Sequence, residues 1–275
     1  MSLLWQIAAK EIRDGLRNRW IAALILALAG LALILALLGA APAGGVKASA
    51  LGVTVVSLAS LSVYLLPLIA LMLSYDAIVG EAERGTLLLL LSYPVARWQV
   101  VLGKFIGHLA ILALAITLGF GSAAAAVGLL GGSDVEGWLA FLALCGSAVL
   151  LGAVFIGLGY LLSVLCDERA KAAGLAITLW LVLVVIYDLG LLGLLLVDAQ
   201  QALSKTLFTG LLLANPTDAF RVFNMTLFAD VRLAGGLAGL GAEAMPDSAA
   251  PLWILIIWTL ASLGAATALF YKKEV

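Results

Sequence analysis

Six stretches of this chain run for about 20 residues or more with almost no charge: roughly 20–41, 53–75, 105–130, 138–165, 172–196 and 251–271. An apolar run of that length crosses the hydrocarbon core of a bilayer as a helix. In lipid, only a helix or a closed barrel satisfies its own backbone. The expected fold class is therefore an all-α integral membrane protein with six transmembrane helices. The chain is 64% hydrophobic and 11% charged, against roughly 45–50% and about 25% for soluble domains. The formal net charge of −1 carries little information, because in a membrane protein the placement of charge is what matters.

Residues 1–19 precede the first span and read as an amphipathic helix. Leu4, Ala8, Ile12 and Leu16 recur every four residues beside Trp5, with Lys10, Arg13, Asp14 and Arg17 on the other side. Such a helix is expected in the membrane plane, cations toward headgroups, with Trp20 at the interface and lipid as its partner. Ala41-Pro42-Ala43 resembles a leader cleavage site. Residues 20–39 are too long for the apolar core of a leader, so an uncleaved first span is expected.

Charge returns in Tyr75–Lys104, which holds Asp76, Glu81, Glu83, Arg84, Arg97 and Lys104 around the run Leu87, Leu88, Leu89, Leu90, Leu91. Five leucines cannot cross a bilayer. A short apolar segment at a membrane face must bury itself in the interface or against another protein, and the run is read here as a docking element. Gly85 is expected to end one helical turn, Thr86 to cap the next and Pro94 to stop it. Glu81 and Glu83 are candidates for pairing with a partner's cations; solvation of a loop would account for either alone.

Lysine and arginine orient the spans. Lys10, Arg13, Arg17, Arg19, Arg84, Arg97, Lys104, Arg169, Lys171, Lys272 and Lys273 fall on one side, and only Lys47, Lys205, Arg221 and Arg232 on the other. Both termini and the leucine island are thus expected in the cytoplasm, with 197–250 outside as short, partly re-entrant helices. There Asn215-Pro216-Thr217-Asp218 reads as a turn into a helix capped near Thr217 or Asp218, with Arg221 one turn on. The whole chain, 1–275, is expected to form a single transmembrane domain.

No soluble-enzyme chemistry stands out. The chain has one histidine, His108, expected as a hydrogen-bonded interfacial residue. Cys145 and Cys166 have no metal-like spacing. Met225 and Met245 are better read as packing than as copper ligands, and no metal site is expected. Gly103-Lys104 lacks the first glycine of a phosphate-binding loop, since Trp98 stands there. Asp188, late in the fifth span, is the one intramembrane ionisable residue with a functional reading. The small-residue pairs Gly119/Ala123, Gly121/Ala125 and Ala153/Gly157 permit close helix contact.

Gly80-Glu81-x-Glu83-x-Gly85-Thr86-Leu87, then Leu91-Ser92-x-Pro94, Arg97 and Gly103-Lys104, resembles the cytoplasmic loop of ABC-2 permeases of ABC transporters. The interfacial helix, six spans and long last outer segment are similar to that family along the whole chain. The resemblance implies a type V exporter-like permease fold, with a coupling helix that docks in a groove of the ATPase. It implies a homodimer, no enzymatic activity in this chain, and ATP and Mg bound by a cytoplasmic ABC ATPase subunit. Residues 7–20, 71–108 and 211–224 further resemble the permeases needed to mature the copper–sulfur centre of periplasmic nitrous oxide reductase, in denitrification. That subgroup implies a bacterial inner-membrane location and a periplasmic β-helical partner. The implied task is to export a sulfur species or transmit mechanical force; nucleic acid is not among the partners. Three other readings stay open: a generic ABC-2 exporter, an ion-coupled secondary transporter using Asp188, and a membrane scaffold without transport.

Overall fold

The computed structural model describes residues 3–39, 50–129, 135–197, 205–226 and 249–273. The Ala41–Ala43 site, Lys47, Arg232 and Met245 lie outside them. All the regular structure among the described residues is helical. α1 (Leu3–Arg17) is followed by α2 (Arg19–Gly39) and α3 (Ala50–Ser74), then two short helices, α4 (Val79–Glu83) and α5 (Thr86–Leu91). Two long helices follow, α6 (Arg97–Leu129) and α7 (Val135–Leu165). The fifth span is α8 (Arg169–Trp180), a π turn over Leu181–Ile186, and α9 (Tyr187–Val197). α10 (Lys205–Ala214) and α11 (Pro216–Thr226) precede the last span, α12 (Ala250–Lys272). Five helical segments are long and apolar enough to cross a membrane, and α2, taken with α1, makes a sixth candidate.

α7 is the central helix, packed along α3 on one side and α12 on the other, while α6 carries α1 and α2. Lipid offers no hydrophobic drive between helices, so close contact rests on small residues. A Cβ on Gly159 would lie 2.0 Å from Ser74 Oγ, and one on Gly157 would lie 2.3 Å from Ser262 Oγ. Gly119 faces α2. Gly121 and Ala125, expected at a helix contact, instead look away from the bundle, with open space beside Gly121. Hydroxyls buried in the spans return to their own helix: Ser62 donates to Leu58 O and Ser74 to Ala70 O. The fifth span packs against little of its own chain, and Ile186, Leu189, Leu192 and Leu196 are all exposed.

α1 is bent by 70° from α2, so when α2 crosses the membrane α1 lies close to its plane. Its wheel has three sectors rather than the two expected. Ile7, Ala8 and Gly15, with the half-buried Leu4 and Glu11, face α6. Trp5 and Leu16 point outward as an apolar sector, and Lys10, Arg13 and Arg17 form the basic one. The Trp20 side chain lies outside the described set. The seat for α1 is Gly103 and Gly107, one turn apart on α6. A Cβ on Gly107 would lie 2.6 Å from Glu11 Cβ and 3.1 Å from Ala8 O.

Gly107→Ala should therefore lever α1 off α6 and cost about 1–3 kcal/mol, seen as a lower unfolding temperature in detergent. Gly121→Ala, which meets nothing within 4 Å, should leave that temperature unchanged.

Candidate functional site

The ends of α3, α7 and α12 and the beginnings of α6 and α8 meet at one face, where the Tyr75–Lys104 island and α1 also lie. Helix C-termini leave carbonyls unpaired and carry a partial negative charge. Cations answer both here. Arg97 Nη1 donates to the carbonyls of Phe270, Tyr271 and Lys273 at the end of α12, and its guanidinium stacks over the Phe270 ring at 5.3 Å. Lys273 Nζ donates to Val164 O at 2.9 Å and Cys166 O at 2.6 Å, at the end of α7. Arg97, proposed from sequence for coupling, is thus occupied within its own chain.

The island is tied down from both neighbouring spans. Ser163 Oγ on α7 accepts the N–H groups of Ile78 and Val79 at 2.9 and 3.0 Å, at the start of α4. Arg169 Nη2 donates to Asp76 Oδ2 at 2.9 Å, and the Arg169 backbone N–H donates to Glu83 Oε1 at 2.7 Å. Glu83 therefore serves the first turn of α8 while remaining exposed.

Glu81 departs from expectation. It is buried, and Lys104 Nζ donates to its Oε1 at 2.8 Å and to Glu11 Oε1 at 2.7 Å. It is not a partner-facing carboxylate. Lys10 leans in at 3.6 Å from Glu81 Oε1. The Tyr160 hydroxyl and His108 Nδ1 share a hydrogen bond of 2.9 Å, and His108 Nε2 lies 3.6 Å from Glu11 Oε2. One buried ammonium thus joins α1, α4 and α6. Burial alone would raise the Glu11 carboxyl, but Lys104, aided by Lys10, holds it below its ordinary value.

The leucine run is divided by its helix. Gly85 adopts φ +70°, a left-handed conformation that glycine enters freely, and stands as N-cap of α5. Thr86 is not the cap: its hydroxyl donates to Glu81 O of α4 at 3.2 Å. Leu87 is fully buried, so it does not belong to an exposed docking face. Leu90 and Leu91 are half-buried, while Leu88 and Leu89 are 57% and 67% exposed. α5 ends before Pro94, as expected, and Tyr93 beside it is exposed. Leu89, Leu90, Tyr93, Arg84 and Lys10 border a cleft of about 400 Å³ between α5 and α1.

At the opposite end of the bundle the π turn takes the Leu183 carbonyl off the regular ladder, where it accepts from Asn215 Nδ2 at 2.7 Å. Asn215 is also the true cap of α11, its Oδ1 accepting the Thr217 N–H at 3.1 Å, with Pro216 first in the helix. Thr217 and Asp218 are inside the first turn rather than at the cap. Asp188 is not alone: Arg221 Nη2 donates to its Oδ2 at 2.7 Å. Ser147 on α7 and Asn224 on α11 are hydrogen-bonded and buried. Among the described residues no cluster of three or more His, Cys, Asp or Glu could hold a metal.

Sequence reasoning missed Glu11, Gly103, Gly107, Ser163 and the role of Lys104. The four-residue spacing Gly103-x-x-x-Gly107 and a lysine running into an apolar span were the signals available.

Comparison with known proteins supplies the relatives. The model of the ABC-2 family transporter protein matches residues 5–275. A probable ABC transporter permease protein NosY of Pseudomonas aeruginosa is 48% identical over 279 residues, covering 100% of each chain. A probable ABC transporter permease protein NosY of Stutzerimonas stutzeri is 47% identical over 276 residues, covering 99% of each.

Lys104→Met should strand the buried Glu81 and the half-buried Glu11 carboxylates and cost about 3–5 kcal/mol, read as a fall in unfolding temperature. Adding Glu11→Gln and Glu81→Gln should recover most of it. Because the Glu11 carboxyl is depressed in the folded state, its contribution is present above the ordinary carboxylate pKa of 4.5 and lost as pH falls through the folded value. Protease protection of α1 should weaken in that acid window in the wild type, and much less in Glu11→Gln.

Proposed function

The chain belongs to the ABC-2 family of transporter proteins and is a multi-pass permease of an ABC transporter; we propose that its engine is a separate ATPase subunit, docked on the exposed side of α5. The observation that carries this reading is the split leucine helix. Leu87 anchors it inward, while Leu89 and Tyr93 stand bare beside the cleft and Leu88 is exposed next to them on α5. An apolar pair in that setting needs a cover. Its base is bonded through Glu81 and Lys104 to α6 and α1, so a push on α5 is delivered to spans two and three and to the interfacial helix. Of the residues proposed from sequence for coupling, Leu88 and Leu89 supply contact, with Tyr93 beside them; Gly85 and Pro94 set the limits of α5, Glu81 and Leu87 hold it to the bundle, and Arg97 ties the start of α6 to the end of α12.

In this reading the basic face is cytoplasmic, the membrane is the bacterial inner membrane, and ATP and Mg bind the ATPase. Two copies of the chain pair with two ATPase copies. Binding of nucleotide draws the ATPases together and shifts the permease between inward and outward states. The full-length likeness to the two NosY proteins, with the resemblance carried by 7–20, 71–108 and 211–224, supports a role in maturing the copper–sulfur centre of nitrous oxide reductase. A periplasmic β-helical protein is the proposed outer partner. The proposed task is movement of a sulfur species outward or mechanical work on the maturation complex.

Leu89→Asp should leave insertion and folding intact but abolish co-purification of the ATPase from mild detergent. Leu87→Asp should instead destabilise the island itself. Recovery of ATPase at wild-type yield with Leu89→Asp contradicts the docking assignment.

A further inference from the structure

A second charge cluster lies far from the docking face and takes no part in it. Arg221 on α11 bridges two carboxylates, donating from Nη2 to Asp188 Oδ2 of α9 at 2.7 Å and from Nη1 to Asp218 Oδ1 at 3.0 Å. One guanidinium offsets one charge. With both carboxylates ionised, the cluster would be a half-buried net anion. Asp218 is 2% exposed, and its Oδ2 is buried with no hydrogen-bond partner among the described residues. The other groups facing it are Tyr187 from α9 and Asn215 at the start of its own helix, with Tyr64 of α3 facing Arg221. None of these three supplies a positive charge. A buried carboxylate oxygen without a hydrogen bond is far costlier than a neutral carboxyl.

We propose that Asp188, Arg221 and Asp218 form a proton-binding site, one proton resting on the Asp218 carboxyl, and that the loaded site latches α11 to the end of the fifth span. Burial and the charge of Asp188, against the pull of Arg221, push the Asp218 carboxyl up to about 7. The two carboxylates share one cation, so the titration belongs to the pair. With the proton on, the cluster is neutral. With it off, the excess negative charge is relieved when α11 moves and water reaches Oδ2. Movement that hydrates Asp218 lowers its pKa and frees the proton, so proton release and separation of α11 from the fifth span are linked. The proposal stands on this cluster alone and does not depend on ATPase docking.

Infrared spectroscopy of the full-length protein in an ester-free detergent, titrated from mildly acidic to mildly alkaline pH, tests it. A protonated-carboxyl C=O band that shifts in D₂O should appear, with a midpoint near 7, and should be missing in Asp218→Asn. Asp188→Asn removes the like charge and should lower the midpoint by about one pH unit or more; this variant assigns the band even if Asp218→Asn fails to fold. Amide protection of α11, corrected for intrinsic rate, should fall above the midpoint in the wild type and stay flat in Asp218→Asn. Absence of the band, a band unchanged in Asp218→Asn, or a midpoint unmoved in Asp188→Asn overturns the proposal. A midpoint that falls as sodium or potassium rises at constant ionic strength overturns it in favour of a metal cation.

Discussion

A lysine ammonium with almost no access to water, held between two carboxylates, decides how the basic face of this protein is built. Lys104 belongs to α6, Glu81 to the island and Glu11 to the interfacial helix. Removing such charges from water is expensive, and the arrangement survives because the ammonium is bonded to both carboxylates. Its value is less in net stability than in registry. None of the three elements can slide without leaving a charge unpaired at a largely buried site. The apolar pair on α5 is therefore mounted on a support that reaches two spans and the membrane surface.

The rest of that face follows the same logic at lower cost. The descending spans end in carbonyls that no helix can pair, and Arg97 and Lys273 cross between helices to take them. Ser163 does the reverse, accepting two N–H groups at the start of α4. Cations that orient the spans by their number are spent locally on closing helix ends. At the other end the same economy recurs, with Asn215 serving both the π turn and the first turn of α11.

Much of the fold was legible because lipid imposes a strong pattern. An uncharged run of twenty residues has few other uses, and all six expected spans appear as helices, with boundaries moved by at most about eight residues, as where α6 begins at Arg97 instead of 105. The island was legible as two short helices stopped by Gly85 and Pro94. The direction of its side chains was not. Glu81 and Glu83 are two residues apart in one acidic stretch, yet one is buried against Lys104 and the other exposed. That difference depends on what α1 and α6 present from distant parts of the chain. Five leucines in a row carry no period, so nothing local marks Leu87 as the inward one. The cap of α11 lies two or three residues before the expected Thr217 or Asp218, because Asn215, Thr217 and Asp218 are all competent caps. The Pro216 that follows Asn215, a residue suited to the first helical position, was the clue that separates them.

The central claim is that α1, α4, α5 and the start of α6 move as one body when the permease is driven. Spin labels at the exposed Arg13 and Arg84, with the distance between them measured in the assembled transporter, test it most directly. A single narrow distance, unchanged between nucleotide-free and ATP-bound complexes, is the predicted result. A distance that shifts or broadens when ATP binds would mean that the docking helix moves independently of the interfacial helix, and would contradict the account.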